Sequence, residues 1–498
     1  MISKLSVWIL GDQLDEAHPG LVAGEPQRTR VLMIESEALL SSRCFHRQRL
    51  HLVLAAMRRY ADALRARGFE VDYRRAQSFR HGLAQHRAAY RPSEVVAAEP
   101  MSRGMLDAFK QLSVRVLRHE RFLCHYQSFA RWAHGQRMLR MEHFYRARRK
   151  ETGYLMRHGE PVGGTFSFDA DNRKPPPRGP QRWPEVLCDE LDALDRQVIA
   201  ELPETAFGAA PSGVWATTRA GALRRLEHFV QQVLPRFGPH QDAMLHGAWH
   251  MAHSLLSPYL NLGLLHPREV CDAAQSAYDA GAAPLASVEG FVRQVLGWRE
   301  YIWGCYWLFG AEYAQVNALS AERSLLPLYR DPSRTKMRCV RDALESVEAH
   351  GYAHHIQRLM VLGNLSLIAG VRPRALSDWM QASFIDASEW VMWPNVLGMA
   401  LFADGGRMST KPYAAGGAYI HRMSDACGRC VYDPKQRTGP KACPYSTLYW
   451  DFFARHEPRF AGNPRVRPVL LGLHKLSDLK QTRERALEVL SGLERGAI

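Results

Sequence analysis

The sequence predicts a chain with two kinds of architecture: a doubly wound α/β domain with a parallel sheet, then an all-helical domain. Short apolar runs alternate with amphipathic helical stretches up to about residue 135, and strand signals almost vanish beyond residue 205. A proline-rich segment lies between the two parts. We therefore assign residues 1–135 to the α/β domain, 136–205 to a linker and 206–498 to the helical domain.

Five apolar runs, at 5–10, 31–34, 71–73, 95–97 and 114–117, predict the strands. Between the second and third runs, residues 47–67 carry apolar residues at helical spacing, and Gly68 is placed to end that helix. A parallel sheet binds ligands at the carboxyl ends of its strands. The turn with Gly11, Asp12 and Gln13 follows the first strand, although the sequence alone favours an ordinary strand-to-helix turn there.

Residues 172–184 contain five prolines and four basic residues. Proline opposes regular structure and stiffens the chain, so this segment is predicted to be a linker laid over a surface. Its positive charge makes it a candidate DNA contact, and a solvated linker is the alternative. Beyond it, helical periodicity dominates at 222–233, 288–309, 338–369 and 374–379.

The charge balance favours a polyanionic partner. The chain has 65 Lys and Arg against 50 Asp and Glu, a net charge of +15, which suits nucleic acid or an anionic membrane. No apolar run reaches the roughly 18 residues of a membrane span, and the apolar start of the chain is too short for a signal peptide. We expect a cytoplasmic protein without membrane contact. Nine cysteines, an odd number, argue against a secreted disulfide framework.

The strongest motif is Cys427-Gly-Arg-Cys430, followed after twelve residues by Cys443 and a proline. This spacing can direct two thiolates at one metal centre, and a third thiolate leaves one ligand to be found. Cys339 is a candidate because its basic neighbours favour the thiolate. The Cys-Pro step favours a [4Fe-4S] cluster, with zinc as the alternative. The other five cysteines are predicted to be isolated buried thiols: Cys44, Cys124, Cys188, Cys271 and Cys305.

A second motif places aromatic and charged residues at helical spacing in residues 289–301. Glu289, Arg293 and Arg299 cannot all be buried without partners, so the helix either lines a polar cavity or pairs its charges internally. Upstream, the segment from Ser254 to Ser257 offers hydroxyls and backbone N–H groups at a helix start, which suits a phosphate. A serine there is also an ordinary helix cap.

A third motif is the adjacent pair His354 and His355, early in a predicted helix. Neighbouring helix positions lie about 100° apart, so only one of the two should share the apolar face of Leu359 and Met360. A lone histidine is more often structural than catalytic.

These three motifs resemble the prokaryotic iron-sulfur (6-4) photolyases of the cryptochrome/photolyase superfamily. The resemblance also includes residues 389–399, 402–406 and 410–413. The resemblance covers nearly the whole chain and is tightest over 241–455. It implies an α/β antenna domain and a helical domain that holds FAD. It also implies four [4Fe-4S] ligands: Cys339, Cys427, Cys430 and Cys443. The flavin contacts that it implies are Ser254, Leu255, Leu256, Ser257, Glu289, Arg293, Trp298, Asn364, Asn395 and Asp404.

The resemblance implies light-driven repair, in which excited reduced FAD donates an electron to a flipped-out (6-4) lesion in UV-damaged DNA. His355 matches the proton-transfer histidine, with His354 and Tyr413 beside the lesion. Trp379 matches the tryptophan nearest the flavin in the photoreduction path, and Tyr329 is our candidate for the distal relay. We expect a monomer.

Three positions depart from the family pattern. A 6,7-dimethyl-8-ribityllumazine antenna is implied near Gly11, Asp12, Gln13 and Glu35, but Leu39 replaces the glutamate that typically contacts this pigment. The distal tryptophan is absent, and Met392 replaces an acidic residue near the flavin.

Two other functions stay open: a blue-light sensor with the same cofactors, and a light-independent iron-sulfur protein that binds nucleic acid.

Overall fold

The computed structural model describes residues 4–179 and 181–498. Residues 1–3 and Pro180, which belong to the predicted N-terminal segment and linker, lie outside the described residues. Among the helices of the described chain, none is long and apolar enough to cross a membrane.

The N-terminal part is built on a five-stranded parallel sheet in the order β3-β2-β1-β4-β5. All five predicted strands are confirmed. Their bounds are β1 (Leu5–Ile9), β2 (Thr29–Ser36), β3 (Glu70–Ala76), β4 (Val95–Ala98) and β5 (Arg115–Leu117). The order of the strands reverses between β1 and β4, which is where a doubly wound sheet has its ligand crevice.

Both faces of the sheet are covered, which explains its nearly continuous apolar strands. Val7 and Ile9 of β1 face the main core, while Trp8 points to the opposite face and packs against Phe109. The predicted helix over 47–67 is observed as α1 (Arg47–Ala66), and Gly68 follows it with φ +87°. Glycine adopts this left-handed conformation without strain.

Beyond β5 the only strands of the described residues form one short hairpin, and helices supply the other regular structure, as predicted for the C-terminal domain. The remaining helices of six or more residues are α2 (Phe79–Tyr90), α3 (Arg103–Gln111), α4 (Tyr126–His134), α5 (Met141–Thr152), α6 (Ala193–Ala200), α7 (Arg219–His228), α8 (Ser257–Leu262), α9 (Pro267–Asp279), α10 (Leu285–Val292), α11 (Glu300–Phe309), α12 (Arg338–His350), α13 (Asn364–Ala369), α14 (Pro373–Ser383), α15 (Gly417–Met423), α16 (Pro444–Arg455), α17 (Arg467–Leu473) and α18 (Leu479–Arg495).

Several helices contain π-helical turns, a rare geometry that is frequent at functional sites. These turns are Phe229–Val233, Arg293–Arg299, Gln357–Gly363 and Trp393–Ala400.

The helical prediction over 338–369 needs one correction. The helix breaks at Gly351, whose φ is +62°, and resumes at His355. Glycine at the end of α12 stops the helix, and the break sets the direction of the next segment.

The segment predicted as a linker is only partly irregular. It contains α5 and α6, while residues 173–179 and 181–192 have no helix or strand. This irregular stretch is tied to the helical part: the Lys174 amide donates to the Pro239 carbonyl at 3.0 Å, and His228 bonds to the Glu185 carbonyl at 2.8 Å. It therefore lies along the surface of the helical part.

Candidate active site

The two predicted histidines lie in different environments. His354 is 1% exposed, and neither of its ring nitrogens has a hydrogen-bond partner within the described chain. His355 is half exposed, and its Nε2 lies 3.2 Å from Oδ1 of Asp242. Only His354 is buried, and since it precedes the helix that begins at His355, the predicted helical spacing does not apply to the pair. Asp242 lies 113 positions from His355, and its local sequence carries no signal of this pairing.

A third histidine joins the pair. His253 is buried and stacks on His354, with ring centroids 4.5 Å apart and an interplanar angle of 14°. One ligand nitrogen from each of His253, His354 and His355 lies within 4.8 Å of the others. Burial lowers the pKa of both His253 and His354 well below the usual value, and neighbouring positive charges lower it further. These two rings are therefore neutral at physiological pH.

The turn after His253 has an unusual backbone. Leu255 has φ +55° and Met251 has φ +44°, a conformation that costs energy for bulky side chains. Such strain clusters at binding sites, where the surrounding structure maintains it. Helix α8 begins at Ser257, as predicted, but the Ser257 hydroxyl is already engaged, because it donates to Oδ2 of Asp386 at 2.7 Å.

Asp386 and Arg358 form a buried pair that the sequence analysis did not identify. Arg358 donates to Oδ1 of Asp386 at 2.9 Å, and Asn261 donates to the Asp386 backbone carbonyl at 2.8 Å. Burial by itself raises the pKa of Asp386, but the Arg358 charge and the hydrogen bonds outweigh it and lower the pKa. The pair links the Ser254–Ser257 turn to the π-helical segment that follows His355.

A cleft opens beside this turn, with about 400 Å³ of space that includes open solvent. Its walls come from the turn, from α7 with its π-helical extension, and from the irregular stretch that covers them. The lining residues include Glu185, Leu187, Phe229, His250, His253, Ser254 and Leu255.

Glu289 and Arg293 pair internally, one of the two outcomes that the sequence left open. Arg293 donates to Oδ1 of Asp169 at 2.7 Å, and its Nε lies 3.4 Å from Oε1 of Glu289. The other Glu289 oxygen accepts from the Phe168 amide at 2.9 Å. Their first partners are therefore residues of the segment predicted as a linker. Trp298 is partly buried with its ring edge toward Tyr301.

The remaining predicted flavin contacts have partners within the chain. Asn364 donates to the Ala415 carbonyl at 2.8 Å and accepts from the Ala415 amide, which fixes the loop that carries Tyr413. Asn395 donates to the Val391 carbonyl at 3.0 Å. Asp404 accepts from the Tyr313 hydroxyl at 2.6 Å and from two backbone amides of its own turn. A flavin role for these three residues stays a prediction.

Four cysteines converge on one cavity of about 300 Å³: Cys339, Cys427, Cys430 and Cys443. Cys339 comes from the start of α12, and Cys443 directly precedes α16. Burial, followed by the nearby thiols, raises the pKa of Cys339 well above its usual value and that of Cys427 to about 12. Deprotonated thiolates in this cavity would therefore need a cation.

Two of the other cysteines differ from the prediction. Cys44 and Cys188 are exposed, whereas Cys124, Cys271 and Cys305 are buried as expected. The two exposed thiols lie outside the helices and strands, and Cys44 stands among polar and basic residues.

The predicted electron-transfer pair is in contact. The rings of Trp379 and Tyr329 meet edge to face with centroids 4.8 Å apart. The Tyr329 hydroxyl donates to the Leu362 carbonyl at 2.7 Å and lies 2.6 Å from the Ser366 hydroxyl.

The predicted antenna residues are engaged in the fold. Gln13 donates to the Glu99 carbonyl at 3.0 Å and so bridges the ends of β1 and β4. Glu35 is buried and accepts from Arg58 at 2.8 Å and from the Tyr73 hydroxyl at 2.5 Å. A Cβ on Gly11 would lie 2.7 Å from the Met57 sulfur. Asp12 is buried, with one carboxylate oxygen unpartnered in the described chain. The lumazine antenna stays a prediction.

Comparison with known proteins identifies relatives along the whole chain. The family model of deoxyribodipyrimidine photo-lyase-related protein matches residues 7–212. A (6-4) photolyase of Agrobacterium fabrum is 41% identical over 479 residues, which are 92% of this chain and 93% of the relative.

Two solved structures share the fold. A class III photolyase from Agrobacterium tumefaciens superimposes with a TM-score of 0.59 at 15% identity, covering 99% of this chain and 98% of that one. A Synechocystis cryptochrome superimposes with a TM-score of 0.54 at 14% identity, covering 96% and 91%. On the extent and identity of the Agrobacterium fabrum match, this chain belongs to the deoxyribodipyrimidine photo-lyase-related family.

Proposed function

We propose that this protein repairs (6-4) pyrimidine-pyrimidone photoproducts in DNA by light-driven electron transfer, with FAD as its cofactor. The observation that carries the proposal is the histidine site: His354 and the His355–Asp242 pair lie beside a strained turn and a cleft. The 41% identity to a (6-4) photolyase supports the choice of lesion. When bound, reduced FAD supplies the electron on excitation.

The chain's own residues handle position and protons. Asp242 engages Nε2 of His355, which leaves Nδ1 of that ring free to exchange a proton with the lesion. His354 keeps both ring nitrogens unpartnered and is shielded from water, so it can hydrogen-bond a flipped-out base. The net charge of +15 and the exposed arginines of the linker support contact with the DNA backbone.

The test compares wild type with His355→Ala. Both proteins should contain FAD and show the same flavin photoreduction, but His355→Ala should lose about 10²- to 10⁴-fold in (6-4) repair, the range for a general acid or base. Chemically reduced samples are illuminated with a lesion-bearing oligonucleotide, and restored thymines are counted. Equal repair by the two proteins would remove His355 from the mechanism. No repair by wild type would support the blue-light sensor instead.

We also propose that the four-cysteine cavity holds a [4Fe-4S] cluster. The sulfur spacing supports this choice over zinc. In a tetrahedral zinc site each Zn–S bond is about 2.3 Å long, so the four sulfurs would lie about 3.8 Å from one another. Within the described chain, no three of the four cysteine sulfurs lie within 4.8 Å of one another, whereas one nitrogen from each of the three histidines does. The wider arrangement matches a cluster whose iron atoms are each bound by one cysteine.

Metal analysis tests this proposal. Anaerobically purified protein should contain about four iron atoms per chain, as one [4Fe-4S] cluster requires. Cys430→Ala should lose iron and stability together, because ligand binding energy is also folding energy. Cys44→Ala changes an exposed thiol outside the cavity and serves as the matched control. Zinc in place of iron in the wild type would refute the cluster.

A further inference from the structure

His253 has an environment that its role as a core side chain does not explain. Its ring stacks on His354 and meets His355 edge to face at 5.4 Å and 72°. Its Nε2 and both nitrogens of His354 are buried and unpartnered in the described chain. Buried polar atoms almost always have a partner, since otherwise they lose their bond to water without replacement. A phenylalanine would fill the same space without this penalty.

A shared metal ion does not explain the three histidines. A metal lies in the plane of an imidazole ring, about 2 Å from the ligating nitrogen. The rings of His253 and His354 are nearly parallel and face each other, so one ion cannot lie in both planes. The same geometry prevents a hydrogen bond between the two rings. Their nitrogens therefore need a partner from outside the chain, either an ordered water or a bound ligand.

The position of His253 indicates where such a ligand binds. His253 lines the cleft together with Ser254 and Leu255, and its stacked face meets His354. The left-handed residues Met251 and Leu255 lie on either side of it in the chain and fix the backbone. Because both rings are neutral, each offers one N–H donor and one nitrogen acceptor.

We propose that His253 and His354 together bind the edge of a pyrimidine-dione ring, in which carbonyl groups flank an N–H group. Neutral imidazoles complement this edge, because the ring carbonyls accept from their N–H groups and the ring N–H donates to their acceptor nitrogens. Two ligands of the proposed reaction carry this edge: the isoalloxazine ring of FAD and the pyrimidine bases of the lesion. The inference rests on the proposed function for its two ligands.

Nitrogen NMR of ¹⁵N-histidine-labelled protein tests the inference in the dark. The His253 and His354 ring signals, assigned with His253→Phe and His354→Phe, should shift when a ligand binds. Adding lesion-bearing duplex to the purified holoprotein tests the base, and adding FAD to flavin-stripped protein tests the flavin. A shift in either arm supports the proposal and identifies the ligand. If the His253 signal shifts in neither arm, the proposal is wrong.

Affinity gives a second measurement. His253→Phe keeps an aromatic ring on His354 but removes the nitrogens, so binding of one ligand should weaken about tenfold, as for one lost hydrogen bond to a buried group. His456→Phe is the matched control, because His456 also packs against aromatic rings, Phe452 and Phe460, in the C-terminal helices. Wild-type affinity of His253→Phe for both ligands would refute the proposal. Neither measurement requires repair, so they remain decisive if wild type fails to repair the lesion.

Discussion

Trp379 connects the tyrosine that we predict as a relay with the proposed cofactor site. One edge of its ring contacts Tyr329, and it meets Phe384 at a centroid distance of 5.9 Å. Arg358 lies 4.0 Å over the Phe384 ring and pairs with Asp386, which accepts from the turn at Ser257. These contacts form a continuous path of side chains from Tyr329 to the turn.

We therefore predict that Trp379→Phe slows photoreduction of oxidised FAD but spares repair by enzyme that has been reduced chemically. Phenylalanine is much harder to oxidise than tryptophan, and repair begins from flavin that is already reduced. Flavin absorbance under continuous blue light measures the first step, and counts of restored thymines measure the second. Trp450→Phe, a partly buried tryptophan of α16, is the control. Unchanged photoreduction in Trp379→Phe would show that another residue donates the electron.

At the level of single residues, the sequence predicted the histidine pair and the convergence of four cysteines. It missed Asp242, Asp386 and His253, whose partners are not adjacent in the sequence. Asp242 lies 113 positions from His355, and Asp386 lies 28 positions from Arg358 and 129 from Ser257.

Asn364 shows the converse difficulty. Its side-chain amide is hydrogen-bonded to the backbone of Ala415, 51 positions away. The local sequence does not show which group will bond to a buried amide, a residue of the chain or a ligand.

Among the elements, the π-helical segment Gln357–Gly363 joins the cysteine cavity to the histidine site. Two consecutive carbonyls of this segment accept from buried tyrosines: Val361 from Tyr445 at 2.8 Å and Leu362 from Tyr329 at 2.7 Å. Tyr445 also lines the cysteine cavity. The segment that follows His355 is thus held by a residue that packs beside the proposed cluster.

We predict that Tyr445→Phe lowers the free energy of unfolding by about 0.5–1.5 kcal/mol, since it removes the hydrogen bond from the hydroxyl to the Val361 carbonyl, which keeps the Asn364 backbone amide as a donor. Amide hydrogen exchange over residues 357–363 should accelerate, while the iron content stays that of wild type. Tyr449→Phe, on the same helix, is the control, because the Tyr449 hydroxyl makes no hydrogen bond within the described chain. If exchange stays slow in Tyr445→Phe, the hydroxyl does not hold this segment.

The elements differ in how well the sequence predicts them. Strands β1 to β5 were found because a sheet covered on both faces requires short apolar runs, and those runs are visible locally. The π-helical turns were not found. A π-helical turn differs from an α-helical one by a single residue in its hydrogen-bond spacing, which leaves the apolar pattern of a short segment almost unchanged.

For the whole molecule, buried neutral histidines dominate the expected response to moderate acid. Burial lowers the pKa of His18 to about 3, and it lowers the pKa of His119, His253 and His354 well below the usual value. The unfolded chain takes up these protons near pH 6.5, whereas the folded chain does not. Each such histidine therefore lowers the free energy of unfolding by about 1.4 kcal/mol per pH unit below 6.5.

Glu300 acts in the opposite direction. Burial raises its pKa to about 7, so the folded chain holds a proton that the unfolded chain releases between about pH 7 and the ordinary pKa of a glutamate. Stability from this group rises as the pH falls through that window. Burial also raises the pKa of Glu289 and Asp12, but nine histidines of the described chain have a lowered pKa, so we expect a net loss of stability between pH 7.5 and pH 5.

His18→Asn isolates the histidine contribution. The His18 ring caps the short helix Pro19–Val22 by accepting from the Gly20 amide, and asparagine is a good cap at such a position but does not titrate. Urea unfolding of wild type and variant is compared at pH 7.5 and pH 5. The loss of unfolding free energy between these pH values should be about 2 kcal/mol smaller in the variant, the linkage of one buried neutral histidine over 1.5 pH units. An equal loss in the two proteins would mean that His18 takes up its proton in the folded state as readily as in the unfolded chain.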